Sequence, residues 1–401
     1  MEVQVLSAAL VRRIVLIVTF GLWVLMGGFS YLFVNKAVIS MLLPSHPEYG
    51  GLINIVDWGN NNRYWLWSVF SGIVGFLTLL QLWWLKRENG KNWSKKMWIG
   101  VMIIELMAVL SYNFISDDLY SYLYSGKMVV EYKVNPYTVM PKEFFGRDQW
   151  LFFVKNVNNV YYHLGDTGIT YYYGPLFLAY TSIFVKLVGP GRFVGMYLGW
   201  KILNLIWFML AGWVLMRLIK DRSKVMALWY FNPLLQFEML TNNHNDLMMI
   251  GLFFTSLLLL TKNKIGAVVS VLASLAIKFV TVVGLPLLFL KEKYKEWGFF
   301  MMGFVVVLFH ALKPLHLWYY SWLYIFWPMA RLKTRTWLIL FLFQGVMLIN
   351  YSGYIWFNRW TDAPFLPPIG IIRWMLLLLL LASEWERIVE NAKKVVVRTK
   401  R

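Results

Sequence analysis

Long apolar runs alternate with short polar segments along most of this chain of 401 residues. A hydrocarbon core roughly 30 Å thick is crossed by a helix of about 20 apolar residues. We predict spans at residues 14–34, 64–85, 97–115, 176–188, 194–218, 247–260, 297–312, 318–330, 337–357 and 369–382. Two further runs, 225–240 and 265–290, are interrupted by Pro233 and by Lys278 with Pro286. The pattern therefore predicts an all-α polytopic membrane protein, with residues 1–401 forming a single domain of about 10–13 transmembrane helices.

The composition and the distribution of charge agree with a membrane location. The chain is 59% hydrophobic and 15% charged, and its formal net charge is +19. Such a charge could indicate nucleic-acid binding, but Lys and Arg fall mainly in short connections, which marks cytoplasmic loops. We therefore predict a plasma-membrane protein with both termini in the cytoplasm, no nucleic-acid partner, and a basic cytoplasmic tail at residues 386–401. Residues 116–174 form the main predicted external loop.

This topology leaves one inconsistency. Runs 176–188 and 194–218 together return the chain to the outside where the basic residues after Met216 require the inside. We expect one of the two runs to be short, re-entrant or parallel to the membrane surface. Irregular backbone at membrane depth must be buried in protein or line a wet cavity.

Two residue counts narrow the possible chemistry. The chain has no cysteine, which excludes disulfides, Cys-ligated metals and thiol nucleophiles. Its five histidines are scattered along the sequence, which makes a structural zinc site unexpected.

Two adjacent carboxylates, Asp117 and Asp118, follow the third apolar run. This places them at the outer interface, where a water-accessible reaction on a lipid-anchored molecule is possible. Neighbouring side chains diverge by about 100° on a helix and about 180° on a strand, so one role for both is not expected. The alternative is that both acids only end a span in water. The aromatic stretches that follow, with Tyr122 and Tyr173, predict interfacial helices, and their rings are either membrane anchors or sugar platforms.

A second polar cluster lies between two apolar runs at residues 241–246. The side chains of Asn243, Asn245 and Asp246 can bind sugar hydroxyls, and His244 could contact a phosphate. The alternative for Asn245 or Asp246 is N-capping of the next helix. Glu238, one turn earlier, is an intramembrane carboxylate and therefore a functional candidate.

Cations within the apolar runs are candidate ligands for a lipid phosphate. Lys278 and Arg373 are each flanked by apolar residues, and a charge at such depth needs a partner or must extend to the interface. Extension to the interface is the alternative for Arg373. On the same outer side, His316 lies among aromatic residues that could equally form an interfacial belt.

Several of these motifs, in this order, resemble the polyprenol-phosphate-mannose-dependent alpha-1,6-mannosyltransferases of the GT-C superfamily. The matching residues are the run 116–122, Gly126, Asn135, Pro136, Tyr137, Pro141, the run 173–176, Asn232, Pro233, Leu234, the run 244–246, Lys278 and, more weakly, the run 316–319. The resemblance covers residues 116–278, and the remainder rests on the arrangement of spans.

This resemblance implies a GT-C-like helical bundle whose external loop carries interfacial helices. It implies an inverting glycosyltransferase that moves a sugar, expected to be mannose, from a polyprenyl phosphate to a glycan or glycolipid hydroxyl at the external face. The family aspartate falls on Asp118, the implied catalytic base, although an exchange with Asp117 stays open. The residue types and the resemblance together predict donor phosphate binding by Lys278, Arg373 and His244, and sugar or acceptor binding by Asn243, Asn245, Asp246, Glu238, Tyr122, Tyr173 and His316.

We expect no cofactor and no divalent metal, because side-chain cations can hold the phosphate of a lipid donor. An alternative from another class is a transporter or flippase of a lipid-linked saccharide. A transporter gathers its polar residues near the membrane midplane, whereas these collect towards one face. A further alternative is the same fold with a different sugar donor, such as glucose, arabinofuranose or an aminosugar.

Overall fold

The computed structural model describes residues 2–34, 50–87, 95–116, 118–144, 147–148, 170–289, 297–312, 317–357 and 366–399. Within these residues the regular elements are all helices. The first seven are α1 Glu2–Tyr31, α2 Gly50–Asn61, α3 Arg63–Arg87, α4 Lys95–Leu110, α5 Asp118–Val130, α6 Pro175–Val188 and α7 Phe193–Leu218, with a short 3₁₀ turn at Pro141–Phe144. The predicted class, an all-α polytopic membrane protein, is confirmed.

The second half of the chain is more broken. Its helices are α8 Arg222–Val225, α9 Pro233–Leu235, α10 Asp246–Leu259, α11 Lys264–Leu275, α12 Pro286–Phe289, α13 Trp297–Leu312, α14 Ser321–Phe326, α15 Thr334–Phe357 and α16 Leu366–Thr399. The π-helical segments are Met226–Tyr230 and Gln236–Thr241, and the 3₁₀ segments are Phe279–Gly284, Leu317–Tyr320 and Trp327–Met329.

Four stretches among the described residues are long and apolar enough to cross a membrane, namely Leu10–Tyr31, Arg63–Leu85, Phe193–Leu218 and Thr334–Trp356. Several other apolar helices are shorter. Helix α6 has 14 residues, and at about 1.5 Å per residue it is about 21 Å long, too short for a full crossing. It is therefore the short one of the two runs 176–188 and 194–218, as the distribution of basic residues predicted. It packs beside α5, where Gly126 leaves no room for a side chain against Thr181. The number of crossings and their sidedness stay predictions.

The predicted interruption at Pro233 lies in the centre of the protein. Pro233 occupies the first turn of α9, and the side chain of Asn232 caps that turn by accepting from the amides of Leu234 and Leu235 at 3.0 and 3.3 Å. Every residue from 225 to 251 is buried. The irregular backbone is thus enclosed by protein, as expected at membrane depth. Such π-helical turns are frequent near functional sites.

The predicted interruption at Lys278 is also present. Helix α11 ends at Leu275, and Lys278 has extended backbone angles, φ −154° and ψ 119°, before the next 3₁₀ segment. The carbonyls exposed by this break pair with the start of α6: the amide of Gly174 donates to the Ile277 carbonyl at 2.9 Å, and that of Leu176 donates to the Ala276 carbonyl at 3.1 Å. The segment before α6 is therefore bonded directly to the backbone that carries Lys278.

Gly174→Ala is expected to disturb this junction. The backbone of Gly174 is extended, so its angles suit any residue, but an added Cβ would lie 2.1 Å from the Ala276 carbonyl oxygen. Overpacking of this kind costs about 1–3 kcal/mol, so we expect a lower melting temperature in detergent. The matched control is Gly72→Ala in α3, where nothing lies within 4 Å. Equal melting temperatures for Gly174→Ala and wild type would show that the contact is not tight.

Candidate active site

Asp118 opens helix α5 and is the meeting point of three side chains. Its Oδ2 accepts hydrogen bonds from the hydroxyls of Tyr122 at 2.9 Å and Tyr173 at 3.4 Å. The same oxygen lies 3.1 Å from Nδ1 of His244. Tyr122 is one helical turn further on, which places both side chains on one face of α5. The carboxylate is therefore oriented by two phenols and one imidazole.

His244 lies between two carboxylates. Its Nδ1 faces Asp118, and its Nε2 lies 3.1 Å from Oε2 of Glu238. Glu238 also accepts a short hydrogen bond from the hydroxyl of Tyr351 in α15. We call Asp118, His244 and Glu238 the acid–imidazole chain. The side chains of Glu238 and His244 are 0% and 1% exposed, whereas that of Asp118 is 21% exposed. Asp118 is thus the end of the chain that a substrate can reach.

The surroundings of Asp118 and His244, here called the outer pair, determine their protonation states. Partial burial alone would raise the pKa of Asp118, but the hydrogen bond and charge of His244 outweigh it and hold that pKa below its usual value. Burial would lower the pKa of His244, yet its contacts with Asp118 and Glu238 raise it to about 9. An imidazolium paired with an ionised Asp118 is therefore the expected state at neutral pH.

A second cluster surrounds Lys278. Its ammonium contacts both carboxylate oxygens of Asp246, at 2.9 and 3.1 Å, and the indole N–H of Trp322 donates to the same carboxylate at 2.6 Å. The ammonium also lies over the rings of Tyr173, Tyr319 and Trp322, at 5.8, 4.8 and 5.3 Å from their centroids. We call these five residues the Lys278 cluster. Aromatic faces add to the stabilisation of a partly desolvated cation.

Tyr173 belongs to both groups of residues. Its hydroxyl points to Asp118 while its ring contacts the ammonium of Lys278. The side chain of Lys278 is 14% exposed, and the neighbouring Tyr172, whose hydroxyl lies 3.1 Å from that of Tyr173, is 66% exposed. Two partly exposed groups of opposite charge, Asp118 and Lys278, therefore both contact Tyr173.

The structure brings together most, but not all, of the predicted site residues. Both ring nitrogens of His244 face carboxylates, so its contacts do not support the predicted phosphate contact. Tyr122 and Tyr173 are buried next to Asp118 rather than anchored at a membrane surface. Arg373 is half-buried against the ring of Tyr320, 5.8 Å from its centroid, and its Nε has no hydrogen-bond partner among the described residues. Tyr320 is adjacent in sequence to Tyr319 of the Lys278 cluster.

The polar cluster at residues 241–246 has an internal role in part. Asn243 has a left-handed backbone, φ 62°, and its side-chain oxygen accepts from the amide of Asn204 at 2.9 Å. The predicted capping of α10 is absent, since Asn245 stands at the N-cap position without a side-chain cap bond and Asp246 binds Lys278. The buried amide of Asn245 has no hydrogen-bond partner among the described residues.

Two predicted residues, Asp117 and His316, lie outside the described residues. Sequence reasoning missed Tyr351 and Trp322, because a single Tyr or Trp within an aromatic-rich apolar run carries no distinguishing signal. As regards metals, the described ranges contain no group of three or more His, Asp and Glu side chains placed to hold an ion.

The fold and the site define a polytopic membrane protein in which a partly exposed carboxylate, Asp118, and a partly exposed ammonium, Lys278, both contact Tyr173. A family model described as "Alpha-(1->6)-mannopyranosyltransferase, N-terminal domain" matches residues 8–291. This is more than half of the chain, so the chain belongs to that family, and the resemblance identified from the motifs is confirmed.

One relative is the Alpha-(1->6)-mannopyranosyltransferase A of Corynebacterium glutamicum. It is 30% identical over 119 residues, which are 28% of this chain and 24% of the relative. The match thus spans about a quarter of that relative's length. No solved structure matches the chain.

Proposed function

We propose that this protein transfers mannose from a polyprenyl-phosphate donor to a hydroxyl of a glycan or glycolipid acceptor, with inversion, at the external face of the membrane. The observation that carries the proposal is that Asp118 and Lys278, each partly exposed, both contact Tyr173. Membership of a mannopyranosyltransferase family supports mannose as the transferred sugar. Asp118 is the proposed base because it is the most exposed of the three side chains in the acid–imidazole chain.

The base step follows from the state of Asp118. A single displacement forms a bond from the acceptor oxygen to C1 of mannose and breaks the bond from C1 to the phosphate oxygen. The acceptor proton passes to Asp118, and the electron pair of the broken bond leaves with the phosphate. A carboxylate that stays ionised at neutral pH is in the form that can accept that proton in the transition state. Glu238 and Tyr351 keep the imidazolium in place behind it.

The phosphate step falls to the Lys278 cluster. The charge that develops on the departing phosphate is stabilised by a fixed cation in a partly desolvated site. Lys278 is oriented by Asp246 and three aromatic rings, so little reorganisation is needed when the phosphate arrives. Arg373, next to Tyr320, is the proposed second cation. Sugar hydroxyls from the substrates are proposed to satisfy the buried amide of Asn245.

The acid–imidazole chain predicts a specific pH dependence of stability. The pKa of His244 is raised from 6.5 to about 9, so its contribution is complete below pH 6.5 and is lost as the pH rises through 9. The pKa of Asp118 is lowered, so its contribution is complete above 3.8 and is lost only as the pH falls through the lower value. Melting temperatures in detergent should therefore decline between pH 6.5 and 9. In His244→Gln this alkaline decline should be much smaller; an unchanged decline contradicts the assignment.

The direct test is transfer by purified protein in lipid nanodiscs. Polyprenyl-phosphate mannose, labelled in the sugar, is incubated with glycan and glycolipid acceptors, in parallel with glucose and arabinofuranose donors. We expect label from mannose in the product, an anomeric configuration opposite to that of the donor by NMR, and full activity in EDTA. Label that moves between vesicle leaflets without bond formation would instead support a flippase. Transfer from another donor only would retain the mechanism and change the sugar.

A further inference from the structure

Helix α7 carries a buried lysine that the proposed reaction does not use. Lys201 is 1% exposed, and its ammonium donates to three backbone carbonyls: those of Val109 at 3.0 Å, Ser111 at 2.8 Å and Thr241 at 3.2 Å. The described residues place no carboxylate in ion-pair contact with it. A buried ammonium without a counter-ion is costly, and an apolar side chain would pack there more cheaply. The three carbonyls that the ammonium binds therefore indicate the role of Lys201.

The three carbonyls belong to the two segments that lead to the outer pair of the acid–imidazole chain. Residues 109–116, here called the Asp118 arm, run from the end of α4 to Ser116, whose hydroxyl accepts from the Asp118 amide at 3.3 Å. Residues 241–243, the His244 arm, begin at the last residue of the second π-helical segment. Carbonyls at the end of a helix lack intrahelical partners, so a cation is well placed to bind them. Lys201 therefore joins both arms through one ammonium group.

Side chains one turn before and one turn after Lys201 on α7 also bind the two arms. One turn earlier, the hydroxyl of Tyr197 donates to Oδ1 of Asn113 at 2.9 Å, and Nδ2 of Asn113 donates to the Ser116 carbonyl at 2.8 Å. One turn later, Nδ2 of Asn204 donates to Oδ1 of Asn243 at 2.9 Å. The spacing of four and three residues places the three side chains on one face of the helix. Tyr197 holds the Asp118 arm, Asn204 holds the His244 arm, and Lys201 holds both.

We propose that Tyr197, Lys201 and Asn204 are positioning residues that set the contact between Asp118 and His244. The inference rests on the proposed function, because it assigns these residues to the same reaction. Asp118 and His244 are 126 positions apart in sequence, and their 3.1 Å contact depends on two arms of irregular backbone. A rigid helix face bonded to both arms keeps the carboxylate ionised and aligned. A misplacement of about 1 Å at such a pair can lower a rate about 10²-fold.

The test compares Lys201→Met with Lys201→Arg and with Tyr197→Phe and Asn204→Ala. The matched control is Arg217→Gln, which removes a cation of α7 that lies over Trp213 at the other end of the helix. We expect Lys201→Met to lower kcat about 10²-fold with little change in the donor KM. The acidic limb of its pH–rate profile should move to higher pH, and Lys201→Arg should recover part of kcat. A role in stability alone would change the yield or the melting temperature and leave the acidic limb unmoved.

A spectroscopic readout separates this inference from the proposed function. The five histidines are labelled with ¹⁵N, and His244→Gln assigns the signal of interest in nanodiscs without any turnover. We expect the imidazolium signal of His244 to titrate at lower pH in Lys201→Met than in wild type. If the wild type transfers no sugar but this shift appears, the positioning stands and the proposed function fails. A folded Lys201→Met with wild-type kcat, acidic limb and His244 signal overturns the positioning. If Lys201→Met does not fold, the test passes to Tyr197→Phe and Asn204→Ala. A wild-type kcat, acidic limb and His244 signal in both of these variants overturn the positioning.

Discussion

Asp118→Asn is expected to lower sugar transfer by about 10²–10⁴-fold, the usual contribution of a positioned general base. An amide oxygen still accepts the hydrogen bonds of Tyr122 and Tyr173, so the fold should persist, but it cannot take the acceptor's proton. The imidazolium of His244 keeps Glu238 as its partner. Donor affinity should therefore change little while kcat falls, which steady-state assays over a range of donor concentrations can measure.

The matched control for this change is Glu131→Gln. Glu131 follows α5, its side chain is 39% exposed, and it lies 3.5 Å from Lys127. The buried Lys127 keeps its ion pair with Asp148 at 2.7 Å when Glu131 is neutralised, so the variant should transfer sugar at the wild-type rate. A folded Asp118→Asn protein with full activity contradicts the mechanism, and Asp117 is then the next candidate for the catalytic base.

Lys278→Met is expected to have the larger effect on stability. It leaves the carboxylate of Asp246, which is 1% exposed, without its cation. Breaking a buried pair in this way costs about 3–5 kcal/mol. The double variant Lys278→Met/Asp246→Asn removes both charges, and the new amide oxygen can still accept from the Trp322 indole. We expect it to recover most of the lost melting temperature.

Activity separates the two roles of Lys278. The stable double variant should still fail to transfer sugar and should bind the donor lipid weakly, because the cation for the phosphate is absent. Donor binding can be measured by quenching of tryptophan fluorescence, and transfer by label in the product. A double variant that is stable and has the wild-type donor KM and kcat would remove Lys278 from phosphate binding.

The sequence predicts the interruptions of the fold well, because their causes are local. Proline at position 233 disfavours a helical conformation of the residue before it, a charge within the apolar run marks position 278, and both interruptions are present. The short helix α6 was indicated by the charge pattern, although its packing beside α5 was not. Asp117 and Asp118 could be singled out because they follow an apolar run, and the family resemblance favoured Asp118.

The partners within the site could not be predicted, because they depend on long-range packing. His244 was expected to meet a phosphate, yet its two ring nitrogens lie against Asp118 and Glu238. Tyr351 reaches Glu238 from 113 positions away. The pairing of Lys278 with Asp246 spans 32 positions. No periodicity or spacing in the sequence records such contacts.

A structure with a non-hydrolysable polyprenyl-phosphate mannose bound in a nanodisc tests the central claim most directly. The account predicts the donor phosphate within hydrogen-bond distance of the Lys278 ammonium. It also predicts the Asp118 carboxylate on the opposite side of C1, with room between them for an acceptor hydroxyl. A phosphate held elsewhere, or a sugar that leaves Asp118 away from C1, contradicts it.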